Sequence, residues 1–380
     1  MDYKKQLEAT LEYAVEYRSF SKLNMAENAD IVCAYGLGRF FQEAFLQWDF
    51  LNKMHVNMVC DSDEKKWGKE FEGLRCVSPK ELFEMNLSKQ VLVITFIGNP
   101  TEINKVLKKN NILYVSANDC IFEMICNMDR STVWFRKNNV LEVLGWLEDD
   151  ESKRVYVNVL CNRIAPHLSQ YDYNELYSQG EYFETDAFKL DNNESYIDCG
   201  AYNGDTIEKM LDIYRGGVEH VYAFEMDKGN YAELQQNVKQ LKDRYRLSDE
   251  VFDVYNVGVW DKNEKLPYGK EVLGSNESFC LFKKENVDYA ELVKMDDWLK
   301  GKKVSLIKMD IEGAEYKALQ GARDIIINNE PKLAICLYHR LNDFWEIPTY
   351  IKMLVPQYKL YVRHHQNGTM GGTVMYASRQ

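Results

Sequence analysis

Residues 196–206, "YIDCGAYNGDT", carry an apolar run to a carboxylate at Asp198, then a loop with glycines at Gly200 and Gly204, before helix-forming sequence resumes in "TIEKMLDIY". Strand, loop and helix in that order open a parallel α/β sheet, whose ligands bind beyond the carboxyl ends of the strands. A dinucleotide site would show G-x-G-x-x-G, so that a pyrophosphate rests on the helix N-terminus. The spacing here is Asp198-x-Gly200-x-x-x-Gly204. A carboxylate ahead of the loop repels phosphate and suits an ammonium group.

The next strand, "VEHVYAFEMD", reaches Glu225, 225 − 204 = 21 residues after the second glycine, where a carboxylate accepts hydrogen bonds from both hydroxyls of a ribose. A ribose and an amine without a phosphate describe S-adenosylmethionine. Gly200 lets the backbone approach such a ligand, Ala201 continues the loop, and Asn203, Asp205 and Thr206 are placed to bond its polar end or cap the following helix. "VFDVYNVGVWD" reads as a third strand with Asn256 and Val257 at the same crevice, and Asp310 and His339 follow the strands "VSLIKM" and "KLAICLY". A Gly-containing segment from 262 to 290 has room for an extra hairpin. "YKLYVRHH" and "GTVMYAS", split by a Gly-rich turn, read as an antiparallel pair at one sheet edge.

These pieces, with "YNVGVWD", "MDDWL", "LIKMDIEGAEYKALQGA", "LYHRLNDFWEIP" and the earlier "GEYFE", resemble the FkbM-type methyltransferases, which are S-adenosylmethionine-dependent O-methyltransferases. The resemblance covers roughly the C-terminal half. It implies a class I methyltransferase sheet with a reversed last strand. It also implies a hydroxyl acceptor, often on a sugar or another bacterial cell-surface or secondary-metabolite intermediate, and so a place in polysaccharide biosynthesis.

Methyl transfer to an alcohol requires alignment of two reactants and a group that takes the hydroxyl proton. His339 is the leading candidate for that base, its alternative being a histidine bonded to a neighbouring loop. Asp310 and Glu312 stand at a strand-to-helix junction, suited to binding the acceptor, acting as base or holding a divalent cation. The plainer reading has Asp310 as N-cap with Glu312 and Glu315 in the first turn. No metal ligand set is expected. Tyr202, Tyr182 and Phe183 read as stacking or closing groups, or as packing. His364 and His365 read as facing the acceptor or lying in a solvated turn.

An earlier unit, "IVCAYGLGRFFQEAFLQ", pairs a strand with Gly36 and Gly38 and a helical pattern through Phe41, Phe45 and Trp48. "VNMVCDSDE" follows, placing Asp61 61 − 38 = 23 residues after the second glycine. The third glycine of a dinucleotide motif is missing, so a nucleotide site and an empty relic of one both stand. "SPKELFEM", "VLVITFIGNP", "PTEINKVLKKN" and "ILYVSAND" extend this unit. The expected organisation is a small Rossmann-like α/β domain over 1–125, a mainly helical connector over 126–190, and the methyltransferase domain over 191–380.

With 380 residues and 46% hydrophobic content the chain has material for two cores, and its nine cysteines read as reduced core residues. A net charge of -12, from 47 Lys+Arg against 59 Asp+Glu, argues against nucleic acid as partner. No signal peptide or membrane span is read, which points to a cytoplasmic protein; the oligomeric state is open. Two rival functions remain: an NAD-type oxidoreductase using the N-terminal glycines, which leaves "DCGAYNGD" unexplained, and a non-catalytic S-adenosylmethionine-binding module.

Overall fold

A computed structural model describes residues 2–16, 22–38, 41–42, 54–97, 101–117, 120, 135–165, 168–273, 276–280 and 288–379. The expected helix through Phe45 and Trp48 falls largely outside these residues. Two parallel-rich sheets organise the chain. The first has the order β3-β4-β2-β1-β5-β6. Its strands are β1 (Ile31–Tyr35), β2 (Met58–Cys60), β3 (Glu70–Phe71), β4 (Leu74–Val77), β5 (Val91–Thr95) and β6 (Leu113–Ser116). β1 and β5 are buried along their whole length, as unbroken apolar runs in a sheet covered on both faces should be.

The second sheet has seven strands: β7 (Ser195–Cys199), β8 (His220–Phe224), β9 (Phe252–Tyr255), β14 (Leu306–Met309), β15 (Lys332–Cys336), β16 (Lys359–His364) and β17 (Thr373–Ser378). Its order is β16-β17-β15-β14-β7-β8-β9, and β17 runs antiparallel to both neighbours. This is the reversed last strand of a class I methyltransferase. Helices α7 (Asp205–Ile213) and α8 (Lys228–Tyr245) make the first two crossovers.

The run "VFDVYNVGVWD" is not one strand. It breaks after β9, and β10 (Gly258–Trp260) joins a separate four-stranded sheet with β11 (Glu264–Leu273), β12 (Asn276–Cys280) and β13 (Asp288–Lys294). The break has a local cause. Asn256 turns its amide onto the carbonyls of Glu225 and Met226, and Gly258 lets β10 pass so close to β13 that a Cβ there would stand 2.6 Å from Leu292. The hairpin anticipated in 262–290 is the β11–β12 pair.

Helix α1 (Tyr3–Glu16) corrects the expected first boundary. Leu7 and Leu11 are fully buried in the core shared by α5 (Lys137–Trp146), α6 (Asp150–Ile164) and the second sheet. Gln6 donates to Asn158 at 3.0 Å and to the Leu168 carbonyl at 3.2 Å. The seven described free cysteines are all buried. Among the described residues no helix is long and apolar enough to cross a membrane.

The connector also covers the sheet's outer strand, β16. Leu147 bridges Leu360, and the Val362 amide donates to Ser152 Oγ at 3.0 Å. Arg363 is fully buried. Its guanidinium reaches Asp149 at 2.7 Å and Asp186 at 2.8 Å, while Asp149 caps α6 by accepting from the Ser152 amide. Arg363→Ala strands the cap and uncovers the edge, so unfolding in urea should show a loss of about 3 kcal/mol. Arg363→Lys should recover only part of it, because one ammonium cannot span both carboxylates.

Candidate active site at the carboxyl ends of the second sheet

The loop after β7 is bent by three residues with left-handed backbone: Gly200 (φ 77°), Tyr202 (φ 48°) and Gly204 (φ 89°). At Gly200 the glycine is obligatory, since a Cβ would lie 2.1 Å from the Asp310 carbonyl oxygen. Ala201 is buried beneath the loop, and the Gly200 and Ala201 amides both bond the Phe224 carbonyl. Asn203 accepts from the Asp205 amide and Asp205 from that of Thr206, so these side chains shape the first turn of α7.

Glu225, just past β8, folds back over this loop. It accepts from the Tyr202 amide at 2.9 Å and the Asp227 amide at 2.7 Å. Burial pushes its pKa up to about 7, against the pull of those two donors. Asn256 braces the end of β8 as described, and Val257 packs into the apolar core.

Parallel register sets Lys308 of β14 opposite Asp198 of β7, and their side chains meet: Nζ lies 3.0 Å from Asp198 Oδ1 and 2.9 Å from the Gly200 carbonyl. Both are buried. Desolvation disfavours the ammonium, but Asp198, with Asp310 farther out, holds the Lys308 pKa above the ordinary lysine value. Asp198, expected to receive an ammonium from a ligand, therefore already has one from the chain. Its second oxygen, Oδ2, is buried and has no partner among the described residues.

Asp310 follows β14 and does not cap a helix: α10 (Glu315–Gly321) starts after Ala314. Its carboxylate instead accepts from Tyr338 at 2.8 Å and Tyr182 at 3.1 Å. Burial opposes its charge, yet His339, Lys308 and the two hydroxyls leave its pKa below the ordinary value. Glu312 takes a left-handed backbone (φ 56°) ahead of Gly313 (φ 90°), which turns its carboxylate to within 3.4 Å of His339 Nε2. Glu315 is fully buried and accepts from the Ile311 amide at 2.9 Å, with His339 Nδ1 at 2.8 Å.

His339 is thus ringed by carboxylates, with Asp310 3.4 Å from Nε2 and Asp343 buried nearby at the start of α12 (Asp343–Leu354). Burial disfavours its charge, but Glu315, Glu312 and Asp310 outweigh burial and raise its pKa to about 10. Burial and Glu315 push the Asp343 carboxyl well up. The surrounding carboxylates favour the charged imidazole, and in that form His339 has no lone pair for a hydroxyl proton.

A strap over 178–183 closes on the same place. Gly180 (φ 85°) and Tyr182 (φ 68°) contort it, and a Cβ at Gly180 would stand 2.1 Å from the Glu184 carbonyl. The Tyr182 amide donates to Tyr376 Oη, which also meets His365 Nε2 at 2.8 Å, while His365 Nδ1 lies 2.9 Å from the Ser178 carbonyl. His364 sits 2.9 Å from Thr373 Oγ1. Both histidines are buried, and burial lowers their pKa values to about 3 and about 4, so neither lies in a solvated turn. Phe183 is core, whereas Tyr202 is exposed at the loop. Glu181, between the two left-handed residues, is partly exposed. Burial and Asp310 push its carboxyl up to about 7, against Lys209 and Lys308.

In the first sheet, Asp61 closes on its own loop. It accepts from the Leu37 amide at 2.8 Å, the Asp63 amide at 2.9 Å and Lys66 at 2.8 Å. A ribose there would have to displace these contacts.

Sheet order, reversed strand and glycine loop are those of the class I methyltransferase fold. Residues 198–366 match the methyltransferase FkbM domain family, so this part of the chain carries a methyltransferase domain. No curated protein matches it. The crystal structure of methyltransferase FkbM from Methylobacillus flagellatus KT is 20% identical, with a TM-score of 0.73 over 99% of this chain and 100% of that one. An rRNA methylase from Streptococcus thermophilus is 16% identical, with a TM-score of 0.32 over 50% of this chain and 90% of its own.

Because the His339 pKa is raised from 6.5 to about 10, its contribution to stability is complete below the lower value and lost as pH rises through the upper one. In urea unfolding, the stability gap between the wild type and His339→Gln should narrow steadily from neutral pH toward about 10. A gap that is flat or widens over that range contradicts the charged state assigned to His339.

Proposed function

We propose that the protein transfers the methyl group of S-adenosylmethionine to a hydroxyl oxygen of a sugar, glycan or related small-molecule intermediate. The observation that carries this reading is the pairing of Glu225 with the side-chain-free loop at Gly200, at the ends of adjacent strands. The donor set fits the cofactor: Glu225 retains lone pairs for ribose hydroxyls, and above the buried Asp198–Lys308 pair Gly200, Ala201, Asn203, Gly204, Asp205 and Thr206 present backbone and short polar groups. Asn256 holds the end of β8 in place through the Glu225 and Met226 carbonyls, and Val257 packs beneath it. Bound there, S-adenosylmethionine supplies an electrophilic methyl group on a sulfonium.

The chain's residues do the rest. Asp310 and Glu312, both partly exposed, are acceptors for the hydroxyls of a polyhydroxylated substrate, which favours a sugar over an apolar alcohol. The His339 imidazolium beneath them offsets negative charge as the attacking oxygen gives up its proton. Glu181 is the proton acceptor: its carboxyl has a pKa near the working pH, and the strap holds it beside Asp310. The oxygen–hydrogen bond breaks toward Glu181 as the oxygen–carbon bond forms. This chemistry suits a cytoplasmic step in bacterial polysaccharide biosynthesis, as the family resemblance implies.

Calorimetric titration with S-adenosylhomocysteine should show binding to the wild type that Glu225→Ala weakens by about 1–3 kcal/mol. Undiminished affinity in the variant, or binding of NAD alone, overturns the cofactor site. Once a screen of nucleotide-sugars and glycans yields an acceptor, Glu181→Gln should cut kcat by about 10²–10⁴ with S-adenosylhomocysteine affinity intact. Loss of that affinity with kcat retained would instead assign Glu181 to the cofactor's ammonium.

A further inference from the structure

Three side chains from separate segments converge behind the acceptor face. Asp310 follows β14, Glu315 opens α10 and His339 follows β15, and one potential ligand atom of each lies within 4.8 Å of the others. Glu315 is fully buried. Its Oε1 takes the Ile311 amide and faces His339 Nδ1, but Oε2 is also buried and has no hydrogen-bond partner among the described residues. A carboxylate oxygen stripped of water and left without a donor is costly, and a native site that keeps one has a use for it.

The charge composition agrees. Asp310, Glu312, Glu315 and Asp343 surround the cluster, while the cationic side chains against it are His339 and Arg340, the latter lying over Gly313. Lys308 is committed to Asp198. His339 Nδ1 faces the Glu315 carboxylate at 2.8 Å, so a cation held by the two takes the place of the imidazolium proton. Its Nε2 stands 3.4 Å from both Asp310 Oδ1 and Glu312 Oε2, and the left-handed backbone at Glu312 brings the second of these there.

We propose that Asp310, Glu315 and His339, with Glu312 at the open side, bind a divalent cation. One imidazole and several carboxylates suit Mn²⁺ or Zn²⁺, with Mg²⁺ weaker. Asp310 and Glu312 are partly exposed, so the cation has a route in and a face turned to the acceptor, where it would polarise the hydroxyl oxygen. That use rests on the methyl-transfer reading; the binding does not.

The test uses the metals alone on the full chain. Calorimetry, and the loss of the free Mn²⁺ signal in electron paramagnetic resonance, should show one Mn²⁺ per chain. Asp310→Asn and Glu315→Gln should each weaken binding by about 10–100-fold. Circular dichroism and thermal melting report whether each variant folds. If Glu315→Gln does not fold, the partly exposed Asp310→Asn decides. Failure of Mn²⁺, Zn²⁺ and Mg²⁺ all to bind the wild type overturns the proposal, as does equal affinity in a folded Asp310→Asn. Neither outcome depends on S-adenosylhomocysteine, so the cofactor site stands or falls separately.

Discussion

The ion pair between Asp198 and Lys308 holds the two central strands of the second sheet together at the level where the ligand loop begins. Lys308 is 3.0 Å from the carboxylate and 2.9 Å from the Gly200 carbonyl, so one ammonium joins β14, β7 and the loop. Burying two charges is expensive, and an apolar pair could serve packing as well or better. What an apolar pair could not do is hold the Gly200 carbonyl from below. The loop's position, and with it the fold-back of Glu225 onto the Tyr202 amide, follows from that contact.

The same pair shapes the chemistry above it. With Asp198 neutralised, the carboxylates that face the crevice are those farther along: Glu225 beyond β8, Asp310 and Glu312 beyond β14, and Glu181 on the strap. Each has a different environment. Asp310 is held ionised by two tyrosine hydroxyls and its cationic neighbours, whereas burial brings Glu181 and Glu225 up to about 7. Pushing similar groups apart in pKa lets one fold assign separate roles to residues of the same type.

Much of this was legible in the sequence where the constraint is local. Gly200 and Gly204 are written into a turn that only such backbone can make, and strand-end carboxylates declare themselves by position. Lys308 was not singled out, because its partner lies on another strand and register is not local; a lysine inside the apolar run "LIKM" was the available signal. His364 and His365 read as facing the acceptor or lying in a solvated turn, until β16 pairs with β17 and turns them inward. Glu181 sits in an irregular segment whose path depends on Tyr376, nearly 200 residues away (|i−j| of 194 between Tyr182 and Tyr376). His339 stands out at a strand end, but the carboxylates that favour its charged form are gathered from three segments and are not readable locally.

Helix α1 packs with α5 and α6, on the core of the second sheet, although the whole first sheet lies between them in sequence. In sequence, the strands of the first sheet thus lie between helices that pack together on the second. The chain leaves the catalytic body after α1, builds the first sheet, and returns at α5. The minimal catalytic body is accordingly discontinuous: it needs residues from both sides of the first sheet, and a fragment cut at the start of β7 would lack the helices that close its core.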